Sequence, residues 1–327
     1  MKPFEYTRAD SPDAAVKTLS EKPSARYLGG GTNLLDLMKD EIESASDIVD
    51  LTRLDLGAIQ ETEGGISLGA LAKNSDTANH ELVRKNFPLL SQAILSAASA
   101  QIRNMATNGG NMLQRTRCYY FYDRAMPCNK REPGSGCGAM DGLNELQAIF
   151  GASDKCVATH PSDMAVALAA LDAKVVTKKT DGSSRTIPFA DFHRLPGDTP
   201  EKDNNLEPGE LILSIEIPKN NFAENSYYLK VRERASYAFA LVSVAAAMEL
   251  SEGTIKEVRI AMGGVAHKPW RALKAEEFLK GKAPTEENFN KAAGAEMAQA
   301  QPLEHNAYKV ELGTRAIVRA LKKSAKI

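Results

Sequence analysis

The 327-residue sequence predicts an α+β fold of two domains, and three observations support this prediction. First, short strand-like runs alternate with amphipathic helical patterns through the N-terminal part, as in a sheet covered by helices. Second, four strand-like runs follow residue 210, and helical patterns occupy the last 55 or so residues. Third, the length suits two or three domains of about 100–200 residues each.

The first 50 residues predict strand, helix, strand, helix and strand, with Ser11 as a favoured N-cap and Pro12 in the first turn of the first helix. GAIQETEGGISLGAL then predicts a hairpin with a Gly-Gly turn, and NSDTANHELVRKN and FPLLSQAILSAAS predict helices. HPSDMAVALAALDA predicts a helix capped by Ser162 or Asp163, and AKVVTKKTDGSSRTIPF predicts a second hairpin.

Two stretches lack any regular period. Residues 112–158 are rich in proline, glycine, aromatic and charged residues, and an irregular stretch this long is usually functional or disordered. Residues 194–210 (RLPGDTPEKDNNLEPGE) are polar and contain three prolines and two glycines, which is typical of a linker. This pattern predicts a domain boundary there, so that ELILSIEIP begins a second domain of one antiparallel sheet plus helices.

The composition excludes several classes of protein. Hydrophobic residues make up 43% and charged residues 25%, which excludes collagen, coiled coils and low-complexity disorder. The net charge of -1 offers no global attraction for nucleic acid or an anionic membrane. The longest apolar stretch is AFALVSVAAAM, well short of the roughly 20 residues that span a bilayer. The N-terminus lacks the apolar segment of a signal peptide, so we expect a soluble chain without its own export signal.

Two glycine-rich loops are candidates for binding a phosphate-containing ligand. Gly29–Asn33 (GGGTN) lies between a strand and a helix, where glycines let backbone N–H groups converge and the helix N-terminus adds positive potential. Thr107–Asn111 (TNGGN) follows an apolar helix and offers side chains that can bind phosphate or ribose oxygens. Neither loop matches the Rossmann fingerprint or the P-loop, so an ordinary turn is the alternative for each. Their presence in one domain favours a dinucleotide between them.

All four cysteines lie within the irregular stretch, with the spacing C-x9-C-x8-C-x18-C. They are Cys118, Cys128, Cys137 and Cys156. The spacing lacks the C-x2-C pairs of zinc ribbons, but four thiolates can hold either zinc or a [4Fe–4S] cluster. Unrelated buried thiols and disulfides are the alternatives. Confinement to one irregular loop favours a metal site without selecting the metal.

The remaining polar residues indicate no catalytic set. None of the five histidines has the spacing of a metal ligand, so each is predicted to be a surface or capping residue. The aromatic run at 119–123 either packs over a loop or covers a cofactor. Lys230, in an alternating strand, either reaches solvent or meets a buried anion.

Together, these motifs resemble the FAD-binding subunits of molybdenum hydroxylases, the family of xanthine dehydrogenase and aldehyde oxidoreductase. The resemblance covers nearly the whole chain and is strongest to the flavin and iron–sulfur subunits of bacterial periplasmic aldehyde oxidoreductase heterotrimers. The motifs that carry it are RYLGGGTNLLDLMK, QIRNMATNGGNMLQRTRC, CYYFYDRAMPCNKREPGSGC, HPSDMAVALAALDA, GELILSIEIP, KVRERASYAFALVSVAAA and GGVAHKPWR.

The resemblance implies a division of the chain into two domains. Residues 1–219 would form an FAD-binding domain of the vanillyl-alcohol-oxidase/PCMH type, with subdomains at about 1–54 and 55–219 and a [4Fe–4S] loop at 113–157. Residues 220–327 would form a C-terminal flavoprotein domain of antiparallel sheet plus helices. This boundary differs from the one that the polar stretch at 194–210 predicts.

The resemblance also implies the site residues. The FAD-binding residues would be Tyr27, Leu28, Gly29, Gly30, Gly31, Thr32, Asn33, Leu34, Thr107, Asn108, Gly109, Gly110, Asn111, Asp163, Ile212 and Lys230. The four cysteines would ligate a [4Fe–4S] cluster, a feature that most flavin subunits of the family lack.

The function implied by the resemblance is electron transfer within a heterotrimer. A large subunit with the molybdenum cofactor would oxidise an aldehyde to a carboxylic acid, and a small subunit would carry two [2Fe–2S] clusters. This chain would receive the electrons on FAD and pass them to an external acceptor. The complex would be periplasmic by export with a signal-bearing partner, or otherwise cytoplasmic. The alternatives are a related hydroxylase acting on an aromatic CoA thioester or an N-heterocycle, an independent flavin oxidase, and a zinc-stabilised nucleotide-binding module without redox activity.

Overall fold

The computed structural model describes all residues, Met1–Ile327, and contains three sheets. The strands are β1 (Glu5–Arg8), β2 (Arg26–Leu28), β3 (Asp47–Asp50), β4 (Ile59–Thr62), β5 (Gly65–Gly69), β6 (Lys174–Lys178), β7 (Ser184–Pro188), β8 (Leu211–Pro218), β9 (Ser226–Val231), β10 (Val242–Ser251), β11 (Thr254–Gly263) and β12 (Trp270–Arg271). The helices are α1 (Pro12–Glu21), α2 (Leu34–Lys39), α3 (Asn74–Asn79), α4 (Glu81–Asn86), α5 (Pro88–Ser96), α6 (Ala100–Met105), α7 (Asn108–Met112), α8 (Tyr119–Tyr122), α9 (Asp163–Ala170), α10 (Phe189–Phe192), α11 (Leu273–Leu279), α12 (Glu286–Met297) and α13 (Tyr308–Ala325).

The N-terminal subdomain is a three-stranded parallel sheet of order β1-β3-β2 with α1 packed against it. The predicted cap of α1 is confirmed, because the Ser11 hydroxyl accepts a hydrogen bond from the Ala14 N–H at 3.1 Å. Val16 of α1 and Val49 of β3 lie in the same buried cluster. The predicted alternation of strands and helices in the first 50 residues is therefore confirmed.

The second subdomain is a five-stranded antiparallel sheet of order β4-β5-β8-β6-β7. The strand β8 lies between β5 and β6, with Ile217 opposite Ile66 and Ile215 opposite Val175. The prediction that residues 194–210 end the first domain is wrong, because β8 comes after them and is a central strand of this sheet. They connect β7 and α10 to β8, and the domain extends to residue 218.

The C-terminal domain is a four-stranded antiparallel sheet of order β12-β11-β10-β9 with α11, α12 and α13 on one face, which confirms the predicted sheet plus helices. Val244 and Ile260 face these helices, whereas Ala245 and Ala261 belong to the core of the first domain. Both faces of β10 are thus covered, which explains its continuous apolar run. No helix combines the length and the apolar character needed to cross a membrane.

The stretch 113–157 is irregular, as predicted, and contains only the single helical turn α8. Its second half is attached to the C-terminal domain. The N–H groups of Ile149 and Phe150 both donate to the Val265 carbonyl, at 2.9 and 3.0 Å, and the Phe150 ring stacks on Trp270 with centroids 4.8 Å apart. The cysteine-bearing loop therefore lies at the junction of the two domains.

Candidate functional site

The first glycine-rich loop presents a run of unpaired backbone donors. The six consecutive residues Gly29–Leu34 are half-buried, and none of their backbone N–H groups donates a hydrogen bond within the chain. The side-chain amide nitrogen of Asn33 is also buried without a partner. Buried donors of this kind require acceptors, and a convergent set of backbone N–H groups is suited to the oxygens of a phosphate. The loop therefore fits the pyrophosphate of a dinucleotide.

The two glycine-rich loops contact each other, as a shared ligand would require. A Cβ atom on Gly29 would lie 2.9 Å from the Thr107 hydroxyl oxygen, and one on Gly30 would lie 2.0 Å from the Met105 carbonyl oxygen. Real Cβ atoms do not approach backbone oxygens so closely. Gly30 is therefore needed first for the packing of the first loop against the C-terminal end of α6.

The second loop uses its side chains within the protein. The Asn108 amide is fully buried and donates to the Thr77 hydroxyl at 2.9 Å and to the Gly69 carbonyl at 3.2 Å. Asn111 donates to Asn74 at 2.6 Å and accepts a hydrogen bond from Ser162 at 2.5 Å. The loop is consequently rigid, and these two amide side chains stabilise its shape.

Asp163 and Lys230 form a buried ion pair, with their side chains 4% and 3% exposed. The Lys230 Nζ atom lies 2.7 Å from Asp163 Oδ2, and the Tyr228 hydroxyl donates to Asp163 Oδ1 at 2.6 Å. Burial and the Asp163 charge raise the pKa of Tyr228 well above its usual value. The predicted alternative in which Lys230 meets a buried anion is the correct one, and the anion is Asp163.

A cavity of about 210 Å³ opens between the two domains beside this ion pair. Asp163 and Cys118 border it from the first domain, and Ser243 and Gly264 border it from the C-terminal domain. The Ser243 hydroxyl is buried, so this wall contributes a polar group to the cavity. The side chain of Ile212 does not border this cavity, since it lies in the core of the first domain.

The structure brings all four cysteines together around a second cavity, as free thiols. Cys128 and Cys156 are buried, whereas the other two are partly exposed. No three histidine, cysteine, aspartate or glutamate side chains in the chain are grouped so as to hold a single metal ion. The four cysteines therefore line one small cavity.

Side-chain bonds to the backbone hold the cysteine loop. The Asn129 side-chain oxygen accepts hydrogen bonds from the N–H groups of Gly134 and Gly136, at 3.1 and 2.9 Å, while its amide nitrogen donates to the Lys155 carbonyl at 2.9 Å. Arg131 donates to the carbonyls of Tyr120 and Phe121, each at 2.8 Å, beside the turn that begins at Cys118. These bonds replace a regular ladder, which explains why this stretch has no period.

The charges around the cysteine cavity suit a negatively charged occupant. Burial raises the pKa of the Cys156 thiol to about 12, and the nearby Lys130 opposes this effect. Lys130 is 2% exposed and donates to Asp203 at 2.5 Å. Burial alone would raise the pKa of Asp203, but the charges of Lys130 and Arg115 lower this pKa to about 2. Since metal coordination deprotonates a thiol outright, the four cysteines with a buried lysine fit a thiolate-bound metal group.

Three histidines contradict the prediction that each histidine is a surface or capping residue. His160, His193 and His267 are buried. His193 Nε2 lies 2.8 Å from the Met112 carbonyl oxygen, and His267 Nδ1 lies 2.8 Å from the Arg194 carbonyl oxygen. Burial lowers the pKa of both to about 4, so they are neutral and fix irregular backbone.

Comparison with known proteins identifies the family. The family described as "FAD binding domain in molybdopterin dehydrogenase" matches residues 2–220, and "CO dehydrogenase flavoprotein C-terminal domain" matches residues 227–324. The aldehyde oxidoreductase FAD-binding subunit PaoB of Escherichia coli K12 is 46% identical over 322 residues, which is 98% of each chain. The glyceraldehyde dehydrogenase medium chain of Sulfolobus acidocaldarius is 29% identical over 91% of this chain and 89% of its own.

The fold is shared with solved structures. A chain of carbon monoxide dehydrogenase from Hydrogenophaga pseudoflava has a TM-score of 0.78 at 26% identity, over 100% of this chain and 99% of that one. A chain of quinoline 2-oxidoreductase from Pseudomonas putida 86 has a TM-score of 0.76 at 24% identity, over 100% of this chain and 99% of that one. Because the first family match covers more than half of the chain, the resemblance predicted from the sequence is confirmed, and the chain belongs to the family of FAD-binding medium subunits of molybdenum hydroxylases.

Proposed function

We propose that this chain is the electron-transfer subunit of an aldehyde-oxidising molybdenum hydroxylase and that it binds both FAD and a [4Fe–4S] cluster. The full-length similarity to an aldehyde oxidoreductase FAD-binding subunit supports the aldehyde as the class of substrate. The single observation that carries the proposal is the meeting of all four cysteines at one cavity, next to the cavity bordered by Asp163.

The FAD site would be built from both domains. The backbone N–H groups of Gly29–Leu34 would bind the pyrophosphate, and the rigid backbone of Thr107–Asn111 would close over the same ligand. The buried pair Asp163–Lys230 would position the cofactor at the cavity between the domains. Ile212 would contribute through its backbone, as its side chain is in the core. When bound, FAD supplies the capacity to accept and release electrons singly or in pairs.

The cluster site would consist of the four cysteine thiolates. Tetrahedral zinc has Zn–S distances of about 2.3 Å and draws its four sulfurs around one point. A four-iron cluster binds each thiolate at a different iron and needs sulfurs that surround a larger space. The placement of all four cysteines around one cavity supports a thiolate-bound metal group there, and iron, sulfide and zinc analysis distinguishes the cluster from zinc. Lys130 would offset part of the negative charge of the thiolate-bound group.

The substrate chemistry would take place on other chains. Oxidation of an aldehyde with water to a carboxylic acid releases two electrons and two protons, and a large subunit with the molybdenum cofactor would perform it. A small subunit with two [2Fe–2S] clusters would complete the heterotrimer. The residues of this chain would bind and orient the redox groups and exclude water from them. An external acceptor would take up the electrons. The periplasmic location remains a prediction, which cell fractionation tests.

Metal and flavin analysis of the anaerobically purified heterotrimer tests the proposal. We expect one FAD and about four iron and four acid-labile sulfide per copy of this chain, beyond the iron of the small subunit. In the Cys137→Ser variant we expect loss of this additional iron with FAD retained, because the two sites use different loops. Asp141→Ser is the matched control, since Asp141 is exposed in the same loop.

Two results would contradict the proposal. Stoichiometric zinc in place of the additional iron would show that the four cysteines hold a structural metal and not a cluster. Equal loss of FAD and iron in Cys137→Ser would show that the two sites form one unit. Turnover assays with aldehydes, N-heterocycles and aromatic CoA thioesters test the class of substrate, and we expect aldehydes alone to reduce the complex.

A further inference from the structure

Cys118 is the one cysteine that borders both cavities. The other three border only the cysteine cavity, whereas Cys118 also borders the 210 Å³ cavity beside Asp163. It precedes the helical turn α8, and its backbone carbonyl accepts hydrogen bonds from the N–H groups of Phe121 and Tyr122 at 3.0 and 3.3 Å. Among the four thiols, Cys118 therefore lies on the side of the proposed flavin site.

Gln147 makes the only side-chain hydrogen bond to any of the four cysteine sulfurs. Its Nε2 atom donates to Cys118 Sγ at 3.4 Å, a distance within the normal range for a sulfur acceptor. A thiolate is an acceptor only, so the nitrogen of the amide must face it. Gln147 is 2% exposed and also borders the larger cavity.

The C-terminal domain fixes the backbone of Gln147 through hydrogen bonds. Its backbone carbonyl accepts hydrogen bonds from Lys309 Nζ at 2.9 Å and from the Asn306 amide at 3.2 Å. Lys309 is completely buried and also donates to the Gly264 carbonyl at 2.8 Å. Burial lowers the pKa of Lys309 to about 7, and a lysine in such surroundings is costly unless its hydrogen bonds are made. The two carbonyl bonds thus fix both Gln147 and Gly264.

We infer that Gln147 is a positioning residue that raises the reduction potential of the thiolate-bound cluster through its N–H···S bond to Cys118, and that Lys309 holds Gln147 in place for this bond. The inference depends on the proposed function, because it requires a cluster on the four cysteines. Hydrogen bonds to the ligand sulfurs stabilise the reduced, more negative state and so raise the potential. In a buried site, such a bond is stronger than in water.

Redox titration of the complete heterotrimer, followed by the electron paramagnetic resonance of the additional cluster, tests the inference. In Gln147→Leu we expect the midpoint potential of this cluster to shift to more negative values, while the flavin potential and the iron and FAD contents stay unchanged. Gln147→Glu keeps the shape but replaces the donor by an acid, so we expect a larger shift in the same direction. Gln101→Leu, at an exposed glutamine without side-chain hydrogen bonds, is the matched control.

The outcomes separate this inference from the proposed function. A wild-type complex without the additional iron–sulfur signal would overturn the proposed function itself. A wild-type complex with the signal and unchanged potentials in Gln147→Leu and Gln147→Glu would overturn only the role of Gln147. If Gln147→Leu loses its iron, the midpoint potential of the cluster in Gln147→Glu decides whether Gln147 has this role. In Lys309→Met we expect a shift in the same direction as in Gln147→Leu, and an unshifted potential would remove Lys309 from the inference.

Discussion

Two of the three buried histidines, His193 and His267, predict an acid-dependent loss of stability. In the unfolded chain a histidine binds its proton near pH 6.5, whereas in the folded chain burial lowers the pKa of each to about 4. Between these values the unfolded state binds more protons than the folded state. The free energy of unfolding is therefore highest above pH 6.5 and falls as the pH decreases towards 4.

The size of the effect follows from the difference between the two pKa values. A difference between about 6.5 and about 4 corresponds to about 3 kcal/mol of unfolding free energy per histidine, accumulated at up to 1.4 kcal/mol per pH unit. Both histidines together would contribute about 6 kcal/mol, comparable to the whole stability of an ordinary domain at about 5–15 kcal/mol. Burial is the largest cause of the lowered pKa of both histidines; Asp203 opposes it at both, and Lys130 adds to it at His267.

Urea unfolding of the purified protein between pH 4 and 8 measures this contribution. His193→Gln keeps a donor at the position of Nε2, and His267→Asn keeps one at the position of Nδ1, so each can retain its backbone hydrogen bond while losing its titration. Between pH 6.5 and 4, we expect the free energy of unfolding of each variant to fall by about 3 kcal/mol less than that of the wild type. His305→Gln, at an exposed histidine, is the control. Parallel pH profiles for the wild type and both variants would refute the reasoning.

Two further predictions concern the proposed FAD site. In Gly30→Ala, the new Cβ would lie 2.0 Å from the Met105 carbonyl oxygen, so we expect strain of about 1–3 kcal/mol and about 10- to 100-fold weaker FAD binding, measured by flavin fluorescence. Gly57→Ala, where nothing lies within 4 Å, should bind FAD normally. In Lys230→Met, the uncompensated Asp163 charge should cost about 3–5 kcal/mol in urea unfolding. The double variant with Asp163→Asn should recover much of that loss, and an additive double variant would contradict a direct ion pair.

The regular elements could be predicted because their information is local. The cap at Ser11 and the hairpins each depend on residues within one element or its turn. The boundary at 194–210 was misplaced because composition describes a connection but not where the next strand pairs. Only the pairing of β8 with β5 and β6, from distant parts of the chain, assigns that strand to the first domain.

The candidate sites likewise contain residues that could be predicted from the sequence and residues that could not. The glycine loops and the cysteine set could be predicted, since the residue types themselves carry the chemistry. The buried histidines could not, because a histidine in a polar segment does not reveal the carbonyl that it contacts; for His193 this carbonyl belongs to Met112. Gln147 and Lys309 had no sequence signal at all, since they are 162 residues apart and neither lies in a motif.

The contacts of Lys309 and Phe150 show that the cysteine loop is attached to both domains. The cysteine stretch interrupts the first domain in sequence, and the first domain holds it through Arg115 and Asp203 at 2.8 Å. Its second half nevertheless contributes Ile149 and Phe150 to the core of the C-terminal domain. A loop without a regular ladder has little stability of its own, so these attachments on both sides determine where its thiols lie. The C-terminal domain thus does more than cover the proposed flavin site, because the geometry of the four cysteines depends on it as well.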